Sequence, residues 1–451
     1  MEDFFDNDLV NEFENLLENN KSIYFDSDEF NEIITFYLDI YDFEYANKAL
    51  LIALNLYPES LDLKIKQLEY YVGVEDLETA SSFIESLKDY CFNNNDYLIA
   101  SARYWSLKKL HHKSIELYLT ALENHEEENY IYNCIGNEYL ELNKPKEALE
   151  AYKSALKFNL KDDYALLSCI HCYEVSFEYN NCITFLNDYI DNNPYSEEAW
   201  FQLGLQYLNI NNYKQGLISF DYVIIINPKS IAGYSQKAFC YEKLELWEKA
   251  IETYEESLAF DDTAAFTFLK IGLAYNKLKK HDLAMKAFYK STKEDPQFDK
   301  AWFEISDLFD LMNDKEEALV FIKKALEIET KEVSYWKKYA YLNVQLGNYQ
   351  EASDAFEIII DLEPDTFHNW LAYSELLINM KEYSKAIIIL KNSLKTLNRA
   401  EIYYQLGNCY FLINDIEKGN NCLKMALKLN PYINIEMKEK YSILLKIINN
   451  Y

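Results

Sequence analysis

The chain has 451 residues, 75 of them acidic and 44 basic, for a formal charge of −31. A polyanion of this kind is repelled by nucleic-acid phosphates and by anionic membrane faces, which excludes both as expected partners. Hydrophobic residues reach 49%, too many for disorder, yet there are only 9 Gly and 7 Pro, so helices joined by short, stereotyped turns are expected. The chain opens MEDFFDNDLV, without the basic region and apolar stretch of a secretory signal. Residues 1–26 hold Leu9, Val10, Phe13, Leu16 and Leu17 at helical spacing. This amphipathic segment can cap the helices C-terminal to it, or it can occupy a groove of the protein or of a partner.

From residue 27 the prolines set a period. Pro194 and Pro228 are 34 residues apart, Pro228 and Pro296 are 68 apart, and so are Pro296 and Pro364. With proline at position 32, repeats start at 27, 61, 95, 129, 163, 197, 231, 265, 299, 333, 367 and 400, and six of the seven prolines share that position. Length alone suggests two to four globular domains, whereas a fixed period predicts one array. Position 20 is small throughout, from Ala46 through Gly216 and Ala284 to Gly419. Position 8 is small in nine of the twelve repeats, including Gly136, Gly204, Gly272 and Gly407. Position 4 carries Trp200, Trp302, Trp336 and Trp370, and position 11 is Tyr in eight repeats, Tyr207 among them.

Positions 4, 7, 8 and 11 trace one helical face, and positions 20, 24 and 27 trace a second. Each repeat is therefore a helix–turn–helix hairpin with an apolar seam, buried only when neighbours stack. Ile34, Leu68 and Ile170 put bulk at position 8, and Tyr189 puts it at position 27. Bulk at a close contact should separate the helices there.

Trp200, Leu203, Gly204, Tyr207, Gly216, Phe220, Val223 and Pro228, with Tyr234, Ala238, Tyr241, Ala250, Tyr254 and Ser257 in the next repeat, resemble the tetratricopeptide repeat. The resemblance spans residues 27 to about 433. It implies an all-α, right-handed superhelical solenoid of about twelve repeats. Residues 434–451, with Met437, Tyr441, Leu444, Leu445 and Ile448 on one face, are expected to form a C-terminal capping helix.

No catalytic signature is present: no phosphate-binding glycine loop, no nucleophile elbow and no metalloprotease His pair. The eight cysteines are spread thinly, which points to a reducing, cytoplasmic setting. Cys169 and Cys172, with Cys182 beyond, have the spacing that can open a zinc site, but two of the three occupy seam positions, where free Cys packs as a small hydrophobe. No cofactor or metal is therefore expected. No stretch of ~18 apolar residues exists to cross a membrane.

What remains is surface, and a non-catalytic scaffold or adaptor that binds a protein or peptide partner is expected. The resemblance implies that positions 2, 5, 9 and 12 line a concave groove. In repeats six to nine these are Phe201, Leu205, Leu208, Phe239, Phe266, Leu269, Leu273 and Phe303, with Gln202, Gln236 and Lys270 at position 6. Exposed apolar stripes of this kind mark binding, unless neighbouring segments cover them. Asn133 and Asn137 match half of the clamp by which one subfamily grips chaperone C-termini, but Ser168, Glu198 and Gln202 replace its other half, so that clamp is not expected. Two other readings stay open: a sensor whose superhelix pitch changes when peptide binds, and an accessory subunit of an enzyme or of a secretion or assembly complex. Residues 1–60 carry 15 Asp/Glu and 2 Lys. That excess is either a solubilising end or a docking site for a basic partner.

Overall fold

The computed structural model describes residues 7–19, 24–122 and 128–433. Two compact units make up the chain, Met1–Asn211 and Asn212–Tyr451. The expected C-terminal capping helix lies outside the described residues.

The first unit begins with α1 (Asn7–Glu18), α2 (Ser27–Asp39), α3 (Phe43–Leu56) and α4 (Leu61–Gly73). It continues through α5 (Leu77–Cys91), α6 (Asn95–Leu107), α7 (His111–Ala121) and α8 (Glu128–Glu141). It ends with α9 (Pro145–Phe158), α10 (Asp163–Val175), α11 (Tyr179–Asn192) and α12 (Glu197–Asn209). The second unit holds α13 (Tyr213–Ile226), α14 (Ile231–Lys243), α15 (Trp247–Ser257), α16 (Ala265–Lys277), α17 (His281–Glu294) and α18 (Asp299–Leu311). After these come α19 (Lys315–Ile328), α20 (Val333–Leu346), α21 (Tyr349–Leu362), α22 (Phe367–Asn379), α23 (Tyr383–Ser393), α24 (Ala400–Leu412) and α25 (Ile416–Leu429). All elements among the described residues are helical, and within each unit they stack as antiparallel hairpins.

The turn inside each hairpin has one chemistry. Position 15 lies in the left-handed region in all twelve repeats: Gly347 at φ 80° and eleven other residues, from Tyr41 to Asn414, at φ 56–65°. The amide at position 16 then donates back to the carbonyl of position 11, as in Asp76 to Tyr71 and Lys280 to Tyr275, both 2.9 Å. This is the Schellman closure of a helix C-terminus. At several repeats position 16 also caps the next helix, with Asp42, Asp76, Asp314 and Asp415 accepting from amides three residues on.

Between repeats, the position-4 tryptophans act as latches. Each indole Nε1 donates to the carbonyl six residues earlier, at position 32: Trp200 to Pro194 (2.9 Å), Trp302 to Pro296 (2.9 Å), Trp336 to Thr330 (2.7 Å) and Trp370 to Pro364 (2.8 Å). Tyr189 reaches the same carbonyl position from the second helix, its hydroxyl donating to Leu160 at 2.7 Å. The bulk at position 27 of that repeat thus serves the loop.

The seam is closed by complementary volumes. A Cβ on Gly272 would collide with the Phe288 ring, and one on Gly136 with the Tyr152 ring; both rings are fully buried at position 24. Gly407 faces the Gly419 carbonyl, which a Cβ would meet at 3.3 Å. Where position 8 is Ile34, Leu68 or Ile170, position 24 is aliphatic: Leu50, Ile84 or Leu186. Backbones approach closely in the glycine hairpins α8/α9, α16/α17 and α24/α25, and less closely in α4/α5 and α10/α11, which carry Leu68 and Ile170. Ala284 is fully buried and Gly216 is buried. Ser306 uses its buried hydroxyl to bond the Ala318 carbonyl at 2.7 Å across one seam.

At the N-terminal end, α1 packs on α2. Phe13 is fully buried against Phe25 and Tyr37, and the Tyr37 hydroxyl donates to Glu14 at 3.0 Å.

Candidate interaction faces

Of the residues expected to line a groove, four lie in the first unit and seven in the second. In the first, Phe201, Gln202, Leu205 and Leu208 are half-buried along α12. Gln202 is tied to Glu198 at 2.8 Å. Trp200 and Tyr207, on the same helix, pack into the core formed by α9–α11, while Leu203 and Gly204 are buried.

In the second unit, α14, α16 and α18 bring together a compact arrangement. Lys270 on α16 extends between two rings, its Nζ 5.9 Å from the Phe239 centroid and 5.7 Å from that of Phe266. Its ammonium pairs with Glu242 at 3.4 Å, across from α14. Glu242 is held by the Tyr254 hydroxyl at 2.9 Å. Lys243 covers Phe239 at 5.1 Å. Phe239 is half-buried and Phe266 is 49% exposed, so one ring is seated and the other offered to solvent. Gln236 lies one turn earlier on α14, half-buried. Phe303 stacks on Tyr335 with centroids 4.9 Å apart, and Tyr335 is anchored by its hydroxyl to Asp299 at 2.7 Å.

One expectation needs correction. Leu269 is 95% buried, packed with Ala301, Ile305 and Leu308 of the core, and cannot meet a groove occupant. Its side chain packs into the seam between α16 and α18, while Phe266 on the same helix stays exposed. Leu273 is half-buried against the same core and contributes only an edge.

Charges that the sequence did not single out flank this face. Lys338 on α20 pairs with Asp307 at 2.5 Å and Asp310 at 2.6 Å, and Lys315 also pairs with Asp310. Beside them, burial and the neighbouring Asp307 push the Glu304 carboxyl up to about 7, against the opposing pull of Lys277 and Lys338. The signal was present in sequence only as charged residues one turn apart; the pairing of Lys338 with carboxylates on another helix was not.

The remaining chemistry candidates are internal. Cys169, Cys172 and Cys182 are free thiols with at most 1% exposure. Burial pushes Cys172 up to about 11 and Cys182 up to about 12. Among the described residues no group of three His, Cys, Asp or Glu side chains is placed to hold a metal ion. Asn133 donates to Asp162 at 2.7 Å, and Asn137 accepts from the Tyr152 and Tyr164 hydroxyls, both at 2.6 Å. Both amides are thus engaged inside the fold. No helix among the described residues is long and apolar enough to cross a membrane.

These observations define a helical-hairpin repeat protein. A family model of the tetratricopeptide repeat matches residues 130–162, 267–298, 299–332 and 400–433, that is repeats four, eight, nine and twelve. The chain is a tetratricopeptide-repeat protein. It is similar to sperm-associated antigen 1 of Homo sapiens, 30% identical over 30% of this chain and 15% of that protein. It is also similar to BBSome complex member BBS4 of Bos taurus, 21% identical over 58% of this chain and 51% of that protein. A solved tetratricopeptide repeat protein from Parabacteroides merdae is 18% identical over 54% of this chain and 97% of its own, with a TM-score of 0.36. The chain covers between 11% and 51% of the length of the curated relatives it matches.

Proposed function

We propose that this chain is a non-catalytic interaction scaffold that holds a protein or peptide partner on the face formed by α14, α16 and α18. The observation that carries the reading is the Phe239–Lys270–Phe266 ladder, fixed by Glu242, with one ring half-exposed on successive first helices. Aromatic anchors of this kind, rimmed by fixed charges, are the usual energetic centres of an interface. The names of similar proteins agree, since BBSome complex member BBS4 and anaphase-promoting complex subunit 3 are parts of assemblies. A basic partner would also be steered by the acidic excess of residues 1–60.

A photo-crosslinking benzophenylalanine at position 266 tests the reading, with the same group at Ile225, a 70% exposed residue of α13, as control. A stoichiometric adduct from position 266 and none from position 225 is expected. Equal labelling from both positions, or none from 266, would count against the assignment.

A further inference from the structure

The first unit contains a cavity of about 490 Å³ between the ends of α2 and α4 and the first helices α6 and α8. That is within the size range of small-molecule sites. Its apolar wall is Leu38, Phe43 and Val72. Its polar lining includes Arg103, one of only two arginines in a chain that otherwise uses lysine.

Two of the carboxylates in the cavity are engaged, while the guanidinium is open. Glu69 is held by Lys66 through both oxygens, at 3.0 and 3.1 Å. Glu138 is bound to His111 at 2.7 Å. Among the described residues Arg103 has no ion-pair partner within 4 Å, although Glu69 faces it across the same cavity and feels its charge. The phenols of Tyr118 and Tyr130 stand beside the guanidinium, each hydrogen-bonded to Cys134, and burial raises both. Asn137 also lines the cavity, its Oδ1 occupied by the Tyr152 and Tyr164 hydroxyls. A planar guanidinium matches a carboxylate, which it can hold through paired bonds.

The overall charge argues against a simple anion. Two cations, Arg103 and Lys66, stand against the carboxylates of Asp39, Glu69 and Glu138. A ligand bringing only negative charge would worsen that imbalance in a partly desolvated site. A ligand that carries both charges would satisfy Arg103 without adding to that imbalance. We propose that this cavity binds a small zwitterion of the amino-acid class, its carboxylate on Arg103, its ammonium toward Glu69 and Glu138, and its side chain on the apolar wall.

Calorimetric titration of the full chain tests this with three probes: L-phenylalanine, N-acetyl-L-phenylalanine and L-phenylalaninamide. Saturable binding of L-phenylalanine is expected, about 10-fold or more tighter than either derivative, because each lacks one charge. Arg103→Lys should weaken L-phenylalanine binding by about 10-fold, and Arg103→Met should abolish it, with the far-ultraviolet helix signal unchanged. No saturable binding of L-phenylalanine at millimolar concentration, equal binding of the acetylated form, or undiminished binding by folded Arg103→Met would each overturn the proposal.

Discussion

Gly272 and Phe288 show how finely the seam is matched. The Phe288 ring is fully buried and fills the space where a Cβ on residue 272 would stand. Gly272→Ala should therefore cost about 1–3 kcal/mol through overpacking, read as a lowered thermal midpoint. Adding Phe288→Leu should recover part of that loss, since the chain itself pairs Ile34 with Leu50 and Ile170 with Leu186. Additive losses in the double variant would show that the two positions do not couple. At position 15 the argument is purely conformational. Nothing lies within 4 Å of a Cβ on Gly347, so Gly347→Ala should cost about 1 kcal/mol from its positive φ alone. Lys279→Gly, at φ 58°, should stabilise by roughly 0.5 kcal/mol after the entropy of glycine is counted, read as a raised thermal midpoint. Glu304 gives a pH signature. Its proton is held more tightly in the folded protein than in the unfolded chain, so its contribution falls as pH rises from the ordinary carboxyl value of 4.5 through about 7. Glu304→Gln should accordingly become more stable relative to the parent across that window, by roughly 1–3 kcal/mol at its upper end. A stability difference independent of pH would contradict the assignment.

At the scale of elements, the hairpin is defined by its two joints. The inner joint is the left-handed residue and its Schellman bond, and the outer joint is the tryptophan latch onto position 32. Trp302→Phe keeps an aromatic ring but removes the bond to the Pro296 carbonyl. It should cost about 0.5–1.5 kcal/mol, with faster amide exchange localised to residues around 296–302 if the latch holds that loop. Uniform exchange across the second unit would show that the loop does not depend on it. The frame of prolines, small residues and aromatics was legible because each is a residue-type constraint repeated at one spacing. The left-handed position was not, because Tyr, Glu, Lys, Phe and Asn all occupy it and the Schellman geometry, rather than the side chain, enforces the conformation. The latch was half-legible: tryptophan and proline each marked the period, but the bond between them is to a backbone acceptor that no residue type reports.

Over the whole molecule, the repeat frame passes through Asn211 and Asn212 without any mark, although the chain divides there into two compact units. The face proposed for binding was legible in part. Phe239, Phe266 and Lys270 could be placed by position, whereas the burial of Leu269 depends on how α16 seats against α18. Arg103 escaped notice because its significance lies in a cavity made by residues up to 100 positions apart, and sequence shows only one rare arginine. The central claim is that the face of α14, α16 and α18 binds a protein partner. It is tested most directly by the affinity of the partner crosslinked at position 266, purified and titrated against the parent chain, Phe266→Asp and Ile225→Asp. The account predicts a loss of about 10-fold or more for Phe266→Asp and parent-like binding for Ile225→Asp. Parent-like binding by Phe266→Asp would contradict it.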